Sequence, residues 1–403
     1  MMGAVSAFVD RWSARTVLGL ALLLCGALGL LTPYLLVALG GLLLVFKAID
    51  GSLWPAYRAP ATQALAAVFL VLLAAFASTA QQPQDALFAF NFVALLLFAP
   101  LYSALDRRRT DSGALTLARL ALIGALVCLA VGVVNMTVWQ TRRESGLIGV
   151  IVLSNTAVLL GFLALIGVAA AQGGRRWLYL LGPVLGVATA LVTASRGPLI
   201  AVAPLALLGM VFLTRALRLR WPVVAGIGAA VIAALGATAW LLGGRIARMP
   251  QILAQVLAGE HVADRNTVSR LDLYQAAWHA FRQEPLLGHG WANLMEAASP
   301  FLADPSLARL PQLHNDLADF AVAAGLVGIA CYVALLAIPV TAALLTPRDS
   351  QYGLRLYGAS VLSLAYFCDG LTDLMFGFEF HTGLYAALLA IILGYCRDRE
   401  TTT

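Results

Sequence analysis

Runs of about twenty apolar residues follow one another along almost the whole chain, a length suited to crossing a bilayer as helix. That pattern leaves little choice of fold. An outer-membrane barrel would show short segments of alternating apolar and polar residues instead. The 403 residues are 61% hydrophobic and 11% charged, with a mean hydropathy of +0.87. An ordinary soluble domain carries about 25% charged residues. The chain is therefore expected to be an all-α polytopic membrane protein. Twelve spans are expected, at 17–31, 34–47, 61–80, 86–105, 115–135, 147–171, 178–194, 198–214, 222–242, 317–345, 354–376 and 381–396. Thr32-Pro33 is expected to separate the first two as a tight hairpin. The chain then divides into nine helices in 1–242, one long loop at 243–316, and three helices with a short tail in 317–403.

The basic residues set the expected orientation. With both termini inside, seventeen of the 26 Lys and Arg fall on the inner side, among them Lys47, Arg107, Arg108, Arg109, Arg175, Arg176, Arg215 and Arg218. Nine fall outside, but six of these lie in the long loop, where the positive-inside rule has little force. The short outer loops hold only Arg142, Arg143 and Arg196. The net charge of +6 needs no nucleic acid to explain it, because inner loops of membrane proteins collect Arg and Lys anyway. In this arrangement all five His (261, 279, 289, 314, 381) face outward, as do Asp369, Asp373 and Glu379. Any chemistry is expected on the outer side.

Within the long loop, 249–258 can form a short helix and 268–284 a better one. Leu271, Tyr274, Trp278 and Phe281 recur at three-to-four spacing. Pro285 ends that helix, and Gly288 and Gly290 mark a turn. Such a helix either lies on the membrane surface or folds over a cavity. Arg270 is expected at its start, where free backbone N–H groups attract anions and a guanidinium fork adds a match to phosphate oxygens. Arg270 could equally contact headgroups or pair with Asp272 or Asp264.

Arg196 is more informative. Thr193-Ala194-Ser195-Arg196-Gly197-Pro198 makes nearly the whole connection between two spans. An ionisable group at membrane depth costs about 2.5–3.5 kcal/mol on insertion scales, so it usually has a partner or a task.

His314 opens His314-Asn315-Asp316-Leu317-Ala318-Asp319, between the hydrophilic loop and a long apolar run. An imidazole can take a proton near neutral pH. A helix starting at Asn315 would place Asp316 and Asp319 on one face, although acidic residues also suit a first turn. His289 and His381 are weaker candidates. Asp369, Asp373, Glu379 and His381 form a loose outer acidic group. The five Cys (25, 128, 331, 368, 396) lie in or beside apolar runs without paired spacing, so no disulfide framework is expected. No HExxH, CxxC, Walker, Gly-x-Ser-x-Gly or DxD motif occurs, and no metal or cofactor is expected.

Three ordered pieces resemble the O-antigen ligase and polymerase superfamily of bacterial envelopes. They are Ser195-Arg196-Gly197 at a short outer turn, then Arg270-Leu271-Asp272-Leu273-Tyr274-Gln275-Ala276-Ala277-Trp278 running on to Glu284-Pro285-Leu286-Leu287-Gly288-His289-Gly290, then His314-Asn315 followed by Gly325-Leu326-Val327-Gly328. The resemblance implies a glycosyltransferase acting on the periplasmic face of the inner membrane. Its donor would be an undecaprenyl-pyrophosphate-linked glycan. A chain of this length without an appended domain is most similar to the ligases, whose acceptor is a sugar hydroxyl of lipid A–core. The expected roles are His314 as base and Arg196, Arg265 and Arg270 as the pyrophosphate clamp, with His289, Asp316, Asp319, Asp369 and Asp373 as secondary candidates. Polymerases and protein O-oligosaccharyltransferases of the same superfamily are the nearest alternatives. A twelve-helix transporter is the alternative of another class, against which stands the confinement of the polar constellation to one half of the chain.

Overall fold

The computed structural model describes residues 21–49, 53–106, 113–138, 148–218, 249–258 and 264–397, together with isolated positions between them. All regular structure among the described residues is helical. The longer elements are α1 (Leu31–Ile49), α2 (Pro60–Ser78), α3 (Phe98–Asp106), α4 (Gly113–Thr137), α5 (Val150–Ala164), α6 (Leu181–Val192), α7 (Gly197–Leu217), α8 (Met249–Ala258), α9 (Arg265–Gln283), α10 (Asp316–Leu344), α11 (Tyr352–Gly370) and α12 (Glu379–Tyr395). A 3-10 segment, Pro83–Leu97, leads into α3.

Seven of the described helices are long and apolar enough to cross a membrane, at Leu31–Ile49, Pro60–Thr79, Pro83–Leu105, Gly113–Thr137, Val150–Ala170, Gly197–Leu217 and Asp316–Leu344. The chain is thus a polytopic helical protein, with fewer long spans among the described residues than the twelve expected. The differences have local causes. The expected span 17–31 is described only in part, and 222–242 lies mostly outside the described residues. The expected span 178–194 begins as 3-10 helix, leaving twelve residues to α6. Helix α11 carries Arg355 and Asp369 within its 19 residues, and α12 has 17 residues. The first hairpin also turns earlier than expected. Gly29 takes φ 51, α1 begins at Leu31, and Thr32-Pro33 lie inside it. A glycine can adopt that left-handed backbone without strain, whereas proline is readily accommodated in a first helical turn.

Two helices are surrounded by protein. In α5 every residue from Leu153 to Ala164 is buried, and in α12 every residue from Phe380 to Gly394. A helix apolar on all sides belongs inside. Helix α5 meets α6 through small residues. Gly161 and Gly182 lie so close that a Cβ on either would strike the other's carbonyl oxygen, the close approach that glycine allows between packed membrane helices.

Helix α10 is broken in its first half. Ala324 (φ −139, ψ 17) and Gly325 (φ 60, ψ −144) leave helical geometry. The freed backbone groups find partners in the loop after α9. His289 N and Gly290 N each donate over 2.9 Å to Val322 O and Ala323 O, while Leu326 N donates to Pro285 O at 2.8 Å and Val327 N to Leu286 O at 3.4 Å. Broken helices at membrane depth need such replacement bonds. Gly288 and Gly325 both have positive φ, and a Cβ on either would stand about 2.5 Å from backbone of the opposing segment.

At the far end of the bundle the Arg355 guanidinium is fully buried. It donates to Thr346 Oγ1 (2.7 Å), Asp349 Oδ1 (3.1 Å), Pro347 O (2.6 Å) and Cys396 O, tying the α10–α11 connection to the end of α12.

Candidate active site

The polar residues gather where α7, α9, α10 and the α11–α12 connection meet. Asn315 caps α10, its Oδ1 accepting from Ala318 N at 3.1 Å. That cap, with Asp316 and Asp319 in the first turn, starts the helix by the usual chemistry of such residues. His314, just outside the cap, has φ 56. A non-glycine residue in this left-handed region is uncommon and is often found where function holds it.

Three attachments fix His314. Its backbone carbonyl accepts from the Tyr274 hydroxyl of α9 at 3.2 Å. Its Nδ1 lies 3.6 Å from Asp373 Oδ1, and 3.3 Å from Gln312 Nε2. The two side-chain partners favour opposite tautomers, since Asp373 takes an Nδ1–H whereas an amide N–H needs the Nδ1 lone pair. The imidazolium satisfies Asp373 in any case.

Leu371 O is the common anchor of the cluster. It accepts from Tyr274 Oη at 2.9 Å and from Asn315 Nδ2 at 3.2 Å. The next residue, Thr372, packs against the Arg196–Gly197 turn, with its Oγ1 placed 2.7 Å from where a Cβ on Gly197 would stand. Asp373 follows. One short connection, Leu371-Thr372-Asp373, therefore touches His314, Asn315, Tyr274 and the Arg196 turn.

Asp316 and Asp319 act inside the protein. Both are fully buried. Asp316 accepts from Met375 N at 2.8 Å and more weakly from Phe376 N, and Asp319 accepts from Leu313 N at 2.8 Å. Their carboxylates hold the chain on either side of His314 and Asp373 rather than lining a surface. Asp369 is buried in the last turn of α11. Glu379 is exposed, while His381 is buried among the rings of Tyr366, Phe378 and Phe380. Of the loose acidic group read from sequence, Asp369, Asp373 and His381 are thus buried and Glu379 alone is exposed.

Helix α9 starts earlier than the sequence led us to expect. Asp264 caps it, Oδ2 accepting from Thr267 N (3.1 Å) and Thr267 Oγ1 (2.8 Å). Arg265, not Arg270, occupies the first turn, and Arg270 lies more than a turn further in. Asp264 Oδ1 also accepts from Arg196 Nη2 at 2.8 Å. Partial burial pushes the Asp264 carboxyl up, but the bonds from Arg196 and Thr267 outweigh it and hold it below the usual carboxylate range. Among the described residues Arg270 pairs with neither Asp264 nor Asp272. Asp264 is bonded to Arg196, and Asp272 accepts from Ala303 N and Asp304 N, each at 2.9 Å. The Arg270 charge instead acts on Tyr274. Burial pushes the Tyr274 phenol up, Arg270 and Asn315 oppose the rise, and Asp319 and Asp373 add to it.

His289 has a structural place. Its Nε2 lies 2.9 Å from Ala280 O of α9, and its backbone pairs with α10 as described. His279 stacks on Phe301, and His261 lies outside the described residues. Tyr274, Asp264 and Gln312 belong to the site but are absent from the residues expected there from sequence. Tyr274 stands one turn beyond Arg270, but its spacing also fits the apolar stripe of Leu271, Trp278 and Phe281. Asp264 had the signature of a cap, with a threonine three residues on.

A protein-family model described as O-antigen ligase matches residues 181–333. The matched stretch runs from the start of α6 into α10. It contains Arg196, Arg265, Arg270 and His314, and ends before Leu371-Thr372-Asp373. A search of curated proteins finds no match.

Proposed function

We propose, from the match of residues 181–333 to the O-antigen ligase family model, that the chain is a glycosyltransferase that moves a glycan from undecaprenyl pyrophosphate to a sugar hydroxyl of lipid A–core. The acceptor oxygen attacks the anomeric carbon. The bond from that carbon to the pyrophosphate breaks, and the polyprenyl pyrophosphate departs with the electron pair. Displacement from the opposite side inverts the anomeric centre. His314 accepts the hydroxyl proton through Nε2, with Nδ1–H turned to Asp373, and the resulting imidazolium is stabilised by that carboxylate. This is the ordinary logic of a base oriented by a third group. Arg196, Arg265 and Arg270 receive the pyrophosphate, Arg265 beside the N–H groups of the α9 N-terminus. The reaction is assigned to the periplasmic side of the inner membrane, where finished lipid-linked glycans meet the acceptor.

One observation carries the reading. His314, held with φ 56, and the Arg196 turn are both seated on Leu371-Thr372-Asp373, which joins a proton acceptor to a phosphate-binding cation. The test is transfer by the purified protein from lipid-linked glycan to purified core lipopolysaccharide, read as a mass shift of the acceptor. Lengthening of glycan on the carrier would identify a polymerase, and glycan on a protein acceptor an oligosaccharyltransferase. No transfer to any of the three would refute the reading.

A further inference from the structure

Helix α9 is apolar on two faces, and only one of them is occupied by the bundle. Leu273, Ala276, Ala277 and Ala280 are buried. On the other side Val268, Leu271 and Trp278 are 45%, 37% and 57% exposed, with Gln275 and Arg282 on the same stripe. The spacing of three and four keeps these five on one face. Beyond the helix, Leu286 and Leu287 are 66% and 45% exposed.

This apolar strip is continuous with a membrane-crossing face. The backbone of Pro285 and Leu286 is bonded to Leu326 and Val327 at the break in α10. Leu326 is itself 52% exposed, and Val333, two turns further, 56%. From Leu326 to Leu344 the helix has 19 residues, about 28 Å at 1.5 Å per residue, close to the roughly 30 Å of a hydrocarbon core. The break therefore falls at the edge of the core on the side of His314, and the loop bonded to it lies at the same level. Gly290 agrees, standing beside Thr79 at the end of the span Pro60–Thr79. A tryptophan and an arginine with its charged head free to reach water are the residues that settle at this depth.

We propose that the Val268–Leu271–Trp278 face of α9, with Leu286 and Leu287, is a membrane-docking surface embedded in the headgroup–acyl boundary of the leaflet on the His314 side. The occupant is bilayer lipid, not a protein. The inference does not depend on the reaction proposed above. Its consequence is positional. Arg270, flanked by Ser269 and Leu271, is held at the depth of lipid phosphates, so a lipid-anchored pyrophosphate meets it without leaving the membrane.

The test uses the full chain in liposomes of phosphatidylethanolamine and phosphatidylglycerol. Single cysteines replace Val268, Trp278 or Leu286, with Asp272→Cys and Ser306→Cys as controls, each labelled with bimane. All five native cysteines are buried, and the unsubstituted protein gives their background. All three docking positions are exposed, so the substitutions do not disturb the core. Quenching by lipids bearing a nitroxide near the glycerol backbone should be several-fold stronger at 268, 278 and 286 than at 272 and 306, with aqueous iodide showing the reverse. Equal quenching by iodide at all five sites would overturn the proposal. Protection of 268, 278 and 286 from both quenchers would overturn it too, because protein rather than lipid would then cover the face.

Discussion

Arg196 and Asp264 are joined by a 2.8 Å ion pair, so the turn between α6 and α7 is bonded to the residue that caps α9. The pair sets where Arg265 stands relative to Arg196, both of them proposed to hold the pyrophosphate. It also gives Arg196 two demands, one carboxylate in the protein and one anion in the substrate. A planar fork can meet both at once, whereas an ammonium is a point charge. Arg196→Lys is therefore expected to lose transfer to nearly the same extent as Arg196→Ala. A charge-assisted hydrogen bond of about 1.5–3 kcal/mol corresponds to roughly a ten- to hundredfold fall in kcat/KM. Steady-state kinetics of the two variants check this, and full activity in Arg196→Lys would show that the fork is not needed.

The same pair makes a prediction about acid. The Asp264 carboxyl is held below its usual range. A lowered value in the folded state stabilises the fold above the unfolded value near pH 4, and that stability is lost as pH falls through the folded value. Asp264→Asn keeps a good helix cap but removes the titrating charge. Its melting temperature should lie below that of the wild type at neutral pH, and the gap should close as the pH is taken below about 4. A gap that stays constant with pH would show that the charge contributes nothing.

Tyr274→Phe removes one hydroxyl and keeps the ring. That hydroxyl shares its one proton between Leu371 O at 2.9 Å and His314 O at 3.2 Å. A net hydrogen bond is worth about 1 kcal/mol, so kcat should fall about fivefold. The variant should show little change in KM, since Tyr274 is placed to position His314 rather than to touch the donor. A rise in KM at constant kcat would assign Tyr274 to substrate binding.

Gly325→Ala should destabilise the protein and lower its yield. The position has φ 60, and a Cβ would meet the backbone of Pro285 and Leu286. Positive-φ strain and a backbone clash together exceed the roughly 1 kcal/mol of ordinary glycine effects. Normal melting of this variant in detergent would show that the break in α10 is not held by the loop.

The α10 break also marks where the sequence stops being legible. Apolar runs gave the helical class and placed α2, α4, α7 and α10 to within a few residues. They gave no sign that α10 leaves helical geometry at Ala324-Gly325, because the run there is uninterrupted and the replacement bonds come from Pro285–Gly290, some forty residues away. The start of α9 falls ahead of the apolar stripe, at the Asp264 cap, which apolar periodicity does not mark. His314 and Arg196 stood out as polar residues at apolar boundaries. Their common seat did not, because its centre is the carbonyl oxygen of Leu371, and a backbone atom leaves no mark in the sequence.

If His314 removes the acceptor proton, its loss must cost most of the rate while leaving the fold intact. Purified wild type and His314→Ala are compared in transfer of lipid-linked glycan to core lipopolysaccharide, with matched melting curves as the control for folding. Loss of a general base costs about a hundredfold or more, so transfer by the alanine variant should fall at least that far while its melting temperature holds. Transfer by a folded His314→Ala protein at close to the wild-type rate would show that His314 is not the base.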